Sequence, residues 1–221
     1  MLQRGAICGK GGRLAPIGGH RYHSLAGRRD MDEGEGSVKW KRLGRRKLLD
    51  CPVFTVAERE NEGPGGRVGH FVVLEAPEWA TVVPVVDRSG EACFLMVRQY
   101  RHGSDEVSVE FPGGVVDEGE APAAAAAREL SEETGYTAAS IRLAGSVYPN
   151  PAFMDNHFHV FLAEGLTRAG GTNLDEHEVI DAFLVPVSEV RERMGTGQYS
   201  HALMATALFL ADRLLNTGKA G

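Results

Sequence analysis

Residues 110–136 read EFPGGVVDEGEAPAAAAARELSEETGY, and this stretch organises everything around it. Its middle is an alanine-rich run with Pro122 near one end and Gly135 just past the other. Proline suits the first turn of a helix and glycine the left-handed position beyond the last, so a helix is expected over Ala121–Thr134. At about 100° per residue, Ala123, Ala126, Ala127 and Leu130 share one face and Glu129, Glu132 and Glu133 an adjoining one. Such a helix packs alanines inward and carries three carboxylates along an edge. Like charges at i, i+3 and i+4 repel by roughly 0.2–0.5 kcal/mol per exposed pair. Two readings are open: a solvated acidic face, or a grip on a hard divalent cation such as Mg²⁺, which takes oxygen ligands.

The spacing is stricter than a helix alone requires. It runs Gly114, five residues, Glu120, seven residues, Arg128-Glu129-Leu130, Ser131, Glu132-Glu133, Thr134, Gly135, Tyr136. This resembles the Nudix box, Gly-x5-Glu-x7-Arg-Glu-U-x-Glu-Glu-x-Gly-U, where U is a bulky and usually aliphatic residue. Only Tyr136 departs from it, an aromatic at the last U. Seven fixed positions within a stretch of 23 leave little room for accident.

The resemblance implies a loop–helix–loop that holds Mg²⁺, with Mn²⁺ as a substitute. Glu129 and Glu133 would be the main side-chain ligands, the Gly113 carbonyl a backbone ligand, and Glu132 a further ligand or the holder of a water. Gly113 and Gly114 let the backbone come close. Glu120 and Arg128 would pair and pin the loop to the helix, and Gly135 would end it.

The likeness extends over residues 40–200. Arg98-Gln99-Tyr100-Arg101, then Glu110-Phe111-Pro112-Gly113-Gly114, then Pro151 sixteen residues past Gly135, are similar to the ADP-ribose pyrophosphatase branch of the family. That branch implies hydrolysis of ADP-ribose to AMP and ribose 5-phosphate, and early strands engaged in a homodimer. Arg98 or Arg101 would hold a phosphate with its planar fork. Glu110 reads as a metal- or substrate-facing carboxylate, or as a structural hydrogen-bond partner. The general base in this branch often follows the box. In Leu174-Asp175-Glu176-His177-Glu178 the candidates are Glu176 and Glu178, against a merely solvated acidic loop. His157 and His159 alternate along a strand and read as satisfied structural histidines. Other sugar nucleotides, dinucleotides and CDP-alcohols stay open as substrates, as does a sensor that binds without turnover.

Outside the box, Pro52–Glu58 and His70–Glu75 read as strands around a Gly-Pro-Gly-Gly turn at 63–66. Thr81–Val86 and Ala92–Gln99 read as a hairpin across Asp87-Arg88-Ser89-Gly90. Further strands are expected at Ile141–Tyr148, Phe158–Ala163 and Val179–Val185, with helices at Ser188–Met194 and Ser200–Leu215. Antiparallel strands with interspersed helices make an α+β fold, and the resemblance makes it the Nudix-type α/β/α sandwich with a mixed sheet.

A net charge of −6 argues against nucleic-acid or anionic-membrane binding through bulk charge. Cys8, Cys51 and Cys93 form no CxxC pair and read as free thiols in a reducing, cytoplasmic setting. No apolar stretch reaches the roughly 18 residues of a membrane span. Residues 1–30 are rich in Gly and Arg and nearly free of acids. They read as a disordered tail, a transit peptide, or sequence ahead of a true start at Met31. The expected division is an extension over 1–36 and one domain over 37–221, with 37–78 in dimer contacts.

Overall fold

The computed structural model describes residues 38–174 and 179–217. The expected extension at 1–36 lies outside the described residues, as do Glu176, His177 and Glu178. Chain contacts separate Met1–Lys39 from a second compact unit, Trp40–Gly221, which holds the sheets and the box helix.

Three strands open this unit: β1 (Lys41–Asp50), β2 (Thr55–Glu62) and β3 (Val68–Glu75), an antiparallel sheet in the order β1-β2-β3. Gly65 and Gly66 take positive φ (80° and 75°) in the turn between β2 and β3, which a side chain would resist. The second sheet holds β4 (Trp79–Arg88), β5 (Glu91–Arg101), β6 (Glu106–Glu110), β7 (Gly113–Val115), β8 (Tyr136–Val147), β9 (Phe158–Arg168) and β10 (Asp181–Pro186). Its main order is β10-β5-β4-β9-β8, with β6 on β5 and β7 on β4. The β4–β9 pair is parallel and the others antiparallel, so the sheet is mixed, as expected. Ser89 and Gly90 both take positive φ between β4 and β5, as a two-residue type I′ turn demands.

Three helices cover this sheet: α1 (Pro122–Thr134), α2 (Val187–Arg193) and α3 (Ala202–Thr217). Alternation along the strands sorts the core into two layers. Phe158, Val160 and Leu162 of β9 face one way, into a cluster with Val187 and Val190 of α2 and Met204, Ala207 and Ala211 of α3. Phe161 and Ala163 face the other way, against Ala125, Ala126 and Leu130 of α1. Each large apolar side chain so buried contributes roughly 1.5–3 kcal/mol. The result is helix on both faces of one sheet, an α/β/α sandwich.

Several expectations need correction. The expected strand at 52–58 begins at Thr55 and runs on to Glu62, and that at 141–148 begins at Tyr136. The last helix begins at Ala202 because His201 caps it; its carbonyl accepts the first helical N–H groups. Strand β1 carries no signal in its sequence: KRLGRRKLLD has no apolar alternation and is exposed almost throughout. The packing face of α1 is rotated from the expected one. Ala125 is buried and Ala123 exposed, and Glu133 belongs to the buried face.

Candidate active site

Gly113 and Gly114 lie in β7, which pairs with the start of β4. A Cβ on Gly113 would meet the Ala80 carbonyl oxygen at 2.4 Å, so the two backbones approach too closely for a side chain. A Cβ on Gly114 would meet Glu129 Oε1 at 2.4 Å. Gly114 thus makes room for Glu129 of α1, and Gly113 for the backbone of β4. Glu133 is 4% exposed, and its Oε2 accepts the Gly113 N–H at 3.0 Å. Helix α1 ends as expected on Gly135 in the left-handed region, whose N–H donates to Ser131 O.

Arg128 ties the loop to the helix. Its Nε and Nη2 donate to the two oxygens of Glu120 at 3.1 and 3.0 Å, and Nη2 also donates to Val115 O at 3.0 Å. Its Nη1 donates to Glu129 Oε1 at 2.9 Å and Glu132 Oε2 at 3.0 Å. The Glu120 bond raises the guanidinium pKa most, ahead of the opposing burial. Reciprocally, Arg128 holds the Glu120 carboxyl below the ordinary range. The repulsion read from the three glutamates is therefore partly offset within the chain.

Gly113, Gly114, Arg128, Glu129, Glu132 and Glu133 line a polar cavity of about 500 Å³, with Gln99, Arg101, Val115, Asp117 and Asn173 completing its wall. The donor set is hard carboxylate oxygen around a cradle kept open by glycine, which fits a Mg²⁺-like cation. It is not a ready ligand shell. Among the described residues no three His, Cys, Asp or Glu side chains are grouped tightly enough to hold a metal ion, since Arg128 and the Gly113 N–H engage the carboxylates.

Arg101 reaches this cavity; Arg98 does not. Three residues apart on β5, they fall on opposite faces of the strand. Arg98 is ion-paired to Asp181, lies 5.2 Å from the Phe183 ring centroid, and lines a separate cavity beside Tyr199. Arg101 donates through Nε and Nη2 to Glu110 at 2.7 and 2.6 Å. Glu110 is 1% exposed. Burial alone would push its carboxyl up, but Arg101, helped by His201 and the Ser108 hydroxyl, holds it below the ordinary range. The hydrogen-bond partner read for Glu110 is Arg101, and Glu110 also lines the apolar cavity next to the carboxylate one.

His157 and His159 are satisfied, as read: each bonds one oxygen of Glu78, at 3.1 and 2.8 Å, and His159 also bonds Ser146 at 2.7 Å. Three further wall residues lie outside the set expected from sequence. Gln99 is two from Arg101 on one strand face, a visible signal. Asp117 falls inside the box but at an unspecified position. Asn173 adjoins the acidic loop, and its N–H donates to Glu132 O at 2.9 Å, so the chain entering that loop is fastened to α1.

A second cavity, about 550 Å³ and largely apolar, shares Arg101, Gly113, Gly114 and Val115 with the first. Phe54, Leu74, Trp79, Met154 and Phe158 are among its walls.

Residues 77–204 match the NUDIX domain family model. The chain is 30% identical over 173 residues to an ADP-ribose pyrophosphatase of Bacillus subtilis, covering 78% of this chain and 92% of that one. It is 32% identical over 161 residues to a CMP-5'-(N-acetyl-N-hydroxy-3-aminopropyl)phosphonate hydrolase of Streptomyces rubellomurinus, covering 73% and 76%. The crystal structure of an ADP compounds hydrolase superposes with a TM-score of 0.72 at 23% identity, over 83% of this chain and 97% of that one, a likeness of fold. With the box helix, its glycine cradle and its arginine clasp in place, the chain belongs to the Nudix family of pyrophosphohydrolases.

Proposed function

We propose that the chain hydrolyses ADP-ribose, or a closely similar nucleoside diphosphate derivative, to AMP and ribose 5-phosphate with Mg²⁺. The observation that carries this reading is the meeting of two unlike cavities at Gly113–Val115 and Arg101. The carboxylate-lined one suits a diphosphate with its cations, and the apolar one suits a nucleoside, whose base gains from aromatic walls. Relatives named ADP-ribose pyrophosphatase in Bacillus subtilis and Mycobacterium tuberculosis support the substrate.

Glu129, Glu133, Glu132 and the Gly113 carbonyl would hold Mg²⁺, or Mn²⁺ in its place, which when bound offsets the diphosphate charge and polarises water. Arg101 presents its guanidinium to a phosphate and fixes the diphosphate between the two cavities. Glu176 or Glu178 takes the proton from the attacking water, and Asn173 fastens the chain just before them. The water oxygen joins one phosphorus, the bridging P–O bond breaks, and the bridging oxygen leaves with the other phosphate.

The test is a substrate panel with products identified, covering ADP-ribose, sugar nucleotides, a dinucleotide and CDP-choline with Mg²⁺. ADP-ribose is expected to have the highest kcat/KM and to yield AMP. Preference for CDP-choline by about tenfold or more would overturn the substrate, and binding without turnover would favour a sensor.

The protein also reads as a homodimer joined through the three-stranded sheet. Leu49, Val68 and Val72 share one face of it by the pairing register and are exposed. An apolar surface of this kind is commonly an interface. Leu49→Asp/Val72→Asp is expected to halve the mass measured by light scattering; an unchanged mass would exclude this face as the contact.

A further inference from the structure

The apolar cavity lies along a seam between two parts of the fold. Phe54, Leu74 and Ala76 reach it from the three-stranded sheet, Met154 from the connection between β8 and β9, and Trp79 and Phe158 from the main sheet. Leu74 and Met154 meet through one isolated parallel bridge. Two backbone bonds make it: the Leu74 N–H donates to Phe153 O at 2.7 Å, and the Asp155 N–H donates to Leu74 O at 3.3 Å. A bridge this short joins segments far apart in the chain. Two backbone bonds return little against the freedom lost by ordering both segments.

Further hold comes from Arg59 on β2. Its side chain is 13% exposed, and Nη2 donates to Asp155 Oδ2 and, at 3.1 Å, to Glu75 Oε1. Arg45 donates to the same Glu75 through Nε at 3.0 Å. Arg45 holds the Glu75 carboxyl below the ordinary range against burial, and Arg59 adds to the effect. Asp155 Oδ1 accepts the Ala76 N–H at 3.4 Å, and the buried Asn156 donates through Nδ2 to Pro77 O at 3.0 Å. Arg59 thus joins β2, the end of β3 and the 150–155 turn by charge-assisted bonds. These are stronger than neutral ones, and partial burial limits their screening.

We infer that Arg59 is a positioning residue for the nucleoside half of the substrate: by clasping Asp155 it fastens the 150–155 turn to β3 and so sets the Leu74 and Met154 wall of the apolar cavity. The inference rests on the function proposed above and adds to it a residue that lines neither the apolar nor the carboxylate cavity. The carboxylate cavity is carried by other elements, chiefly β7 and α1. The clasp therefore bears on substrate affinity and leaves the chemical step alone.

The experiment pairs amide hydrogen exchange with kinetics on the full chain. Arg59→Gln removes the charge from the clasp. Asp155→Asn removes it from the other side and keeps an oxygen for the Ala76 N–H. In both variants exchange at the Leu74 and Asp155 amides is expected to quicken about tenfold, with the Val82 and Gly135 amides within about threefold of wild type. KM for ADP-ribose is expected to rise about tenfold with kcat within about threefold. Arg59→Gln/Asp155→Asn should stay within about threefold of Arg59→Gln, because both changes break one bond. A single nitrogen, Nη2, makes both Arg59 bonds, so the ammonium of Arg59→Lys is expected to bring KM back to within about threefold of wild type. Exchange unchanged at Leu74 and Asp155, or quickened there with KM within about threefold, overturns this inference alone. So does a loss that falls equally on kcat and kcat/KM, which marks a general structural role. A wild type that leaves ADP-ribose uncleaved overturns the proposed function and this inference with it.

Discussion

Glu133→Gln lowers kcat by about three orders of magnitude and leaves the fold intact. The two halves of this expectation have separate causes. Glu133 Oε2 accepts the Gly113 N–H, and a glutamine carbonyl oxygen can accept the same bond with nearly the same shape. The buried face of α1 keeps Leu130, Ala126 and Ala125. Melting is therefore expected within a few degrees of wild type, a shift of under about 1 kcal/mol. What the substitution removes is a full negative charge from the wall of the carboxylate cavity, where poor solvent screening makes a charge count for more than at the surface. A cation held there would lose a ligand charge in the ground state and in the transition state. The loss is read in kcat at saturating Mg²⁺ and substrate, with circular dichroism to exclude unfolding. Turnover above a tenth of wild type would place the essential ligand elsewhere.

How far the site can be read from residue order alone depends on what holds each residue. The box was legible because backbone and helix geometry act locally there. Pro122 and Gly135 bound the helix, and i, i+3, i+4 spacing groups the glutamates. The Glu120–Arg128 pair spans only eight positions. The rotation of α1 was not legible. Five alanines in a row give no apolar contrast, so which side faces the sheet is decided by Phe161, Ala163 and Leu95, which lie on other strands. Strand β1 is the same case at larger scale. Its three leucines, Leu43, Leu48 and Leu49, do not alternate with period two and are exposed, and its extended form is held by ladder bonds to β2 and by ion pairs from Arg45 to Glu75 and Arg46 to Glu58. Arg98 and Arg101 differ by the simplest rule available, strand period two, which separates them once β5 is known to run unbroken from Glu91 to Arg101. His201 as a cavity wall was not legible, because it meets Arg101 and Gly113 there from about a hundred residues away in the chain.

Arg101→Met is expected to cost about 2–3 kcal/mol of stability as well as substrate affinity, and the two losses can be separated. Breaking a buried pair by removing one partner typically costs about 3–5 kcal/mol, because the remaining charge is left without compensation. The lower figure applies here because Arg101 is 41% exposed, so water screens part of the interaction, whereas Glu110 is 1% exposed. The pH dependence carries the sign. In the wild type the Glu110 carboxyl is held below its ordinary value of 4.5 despite burial, through Arg101. A depressed native value means that the stabilisation is fully present above pH 4.5 and is lost as pH falls through the native value. Without Arg101, burial dominates and pushes the carboxyl up, so the variant gains relative stability as acid neutralises it. The gap in melting temperature between wild type and Arg101→Met should therefore narrow from pH 7 toward pH 4. Adding Glu110→Leu removes the stranded charge, and Arg101→Met/Glu110→Leu is expected to return to within about 1 kcal/mol of wild type. Activity should not return with it, because the guanidinium that faces the carboxylate cavity is still missing. A double variant that recovers both stability and kcat/KM would reduce Arg101 to a partner for Glu110. Recovery of stability alone assigns it to the substrate as well, since only a group facing the diphosphate leaves that asymmetry.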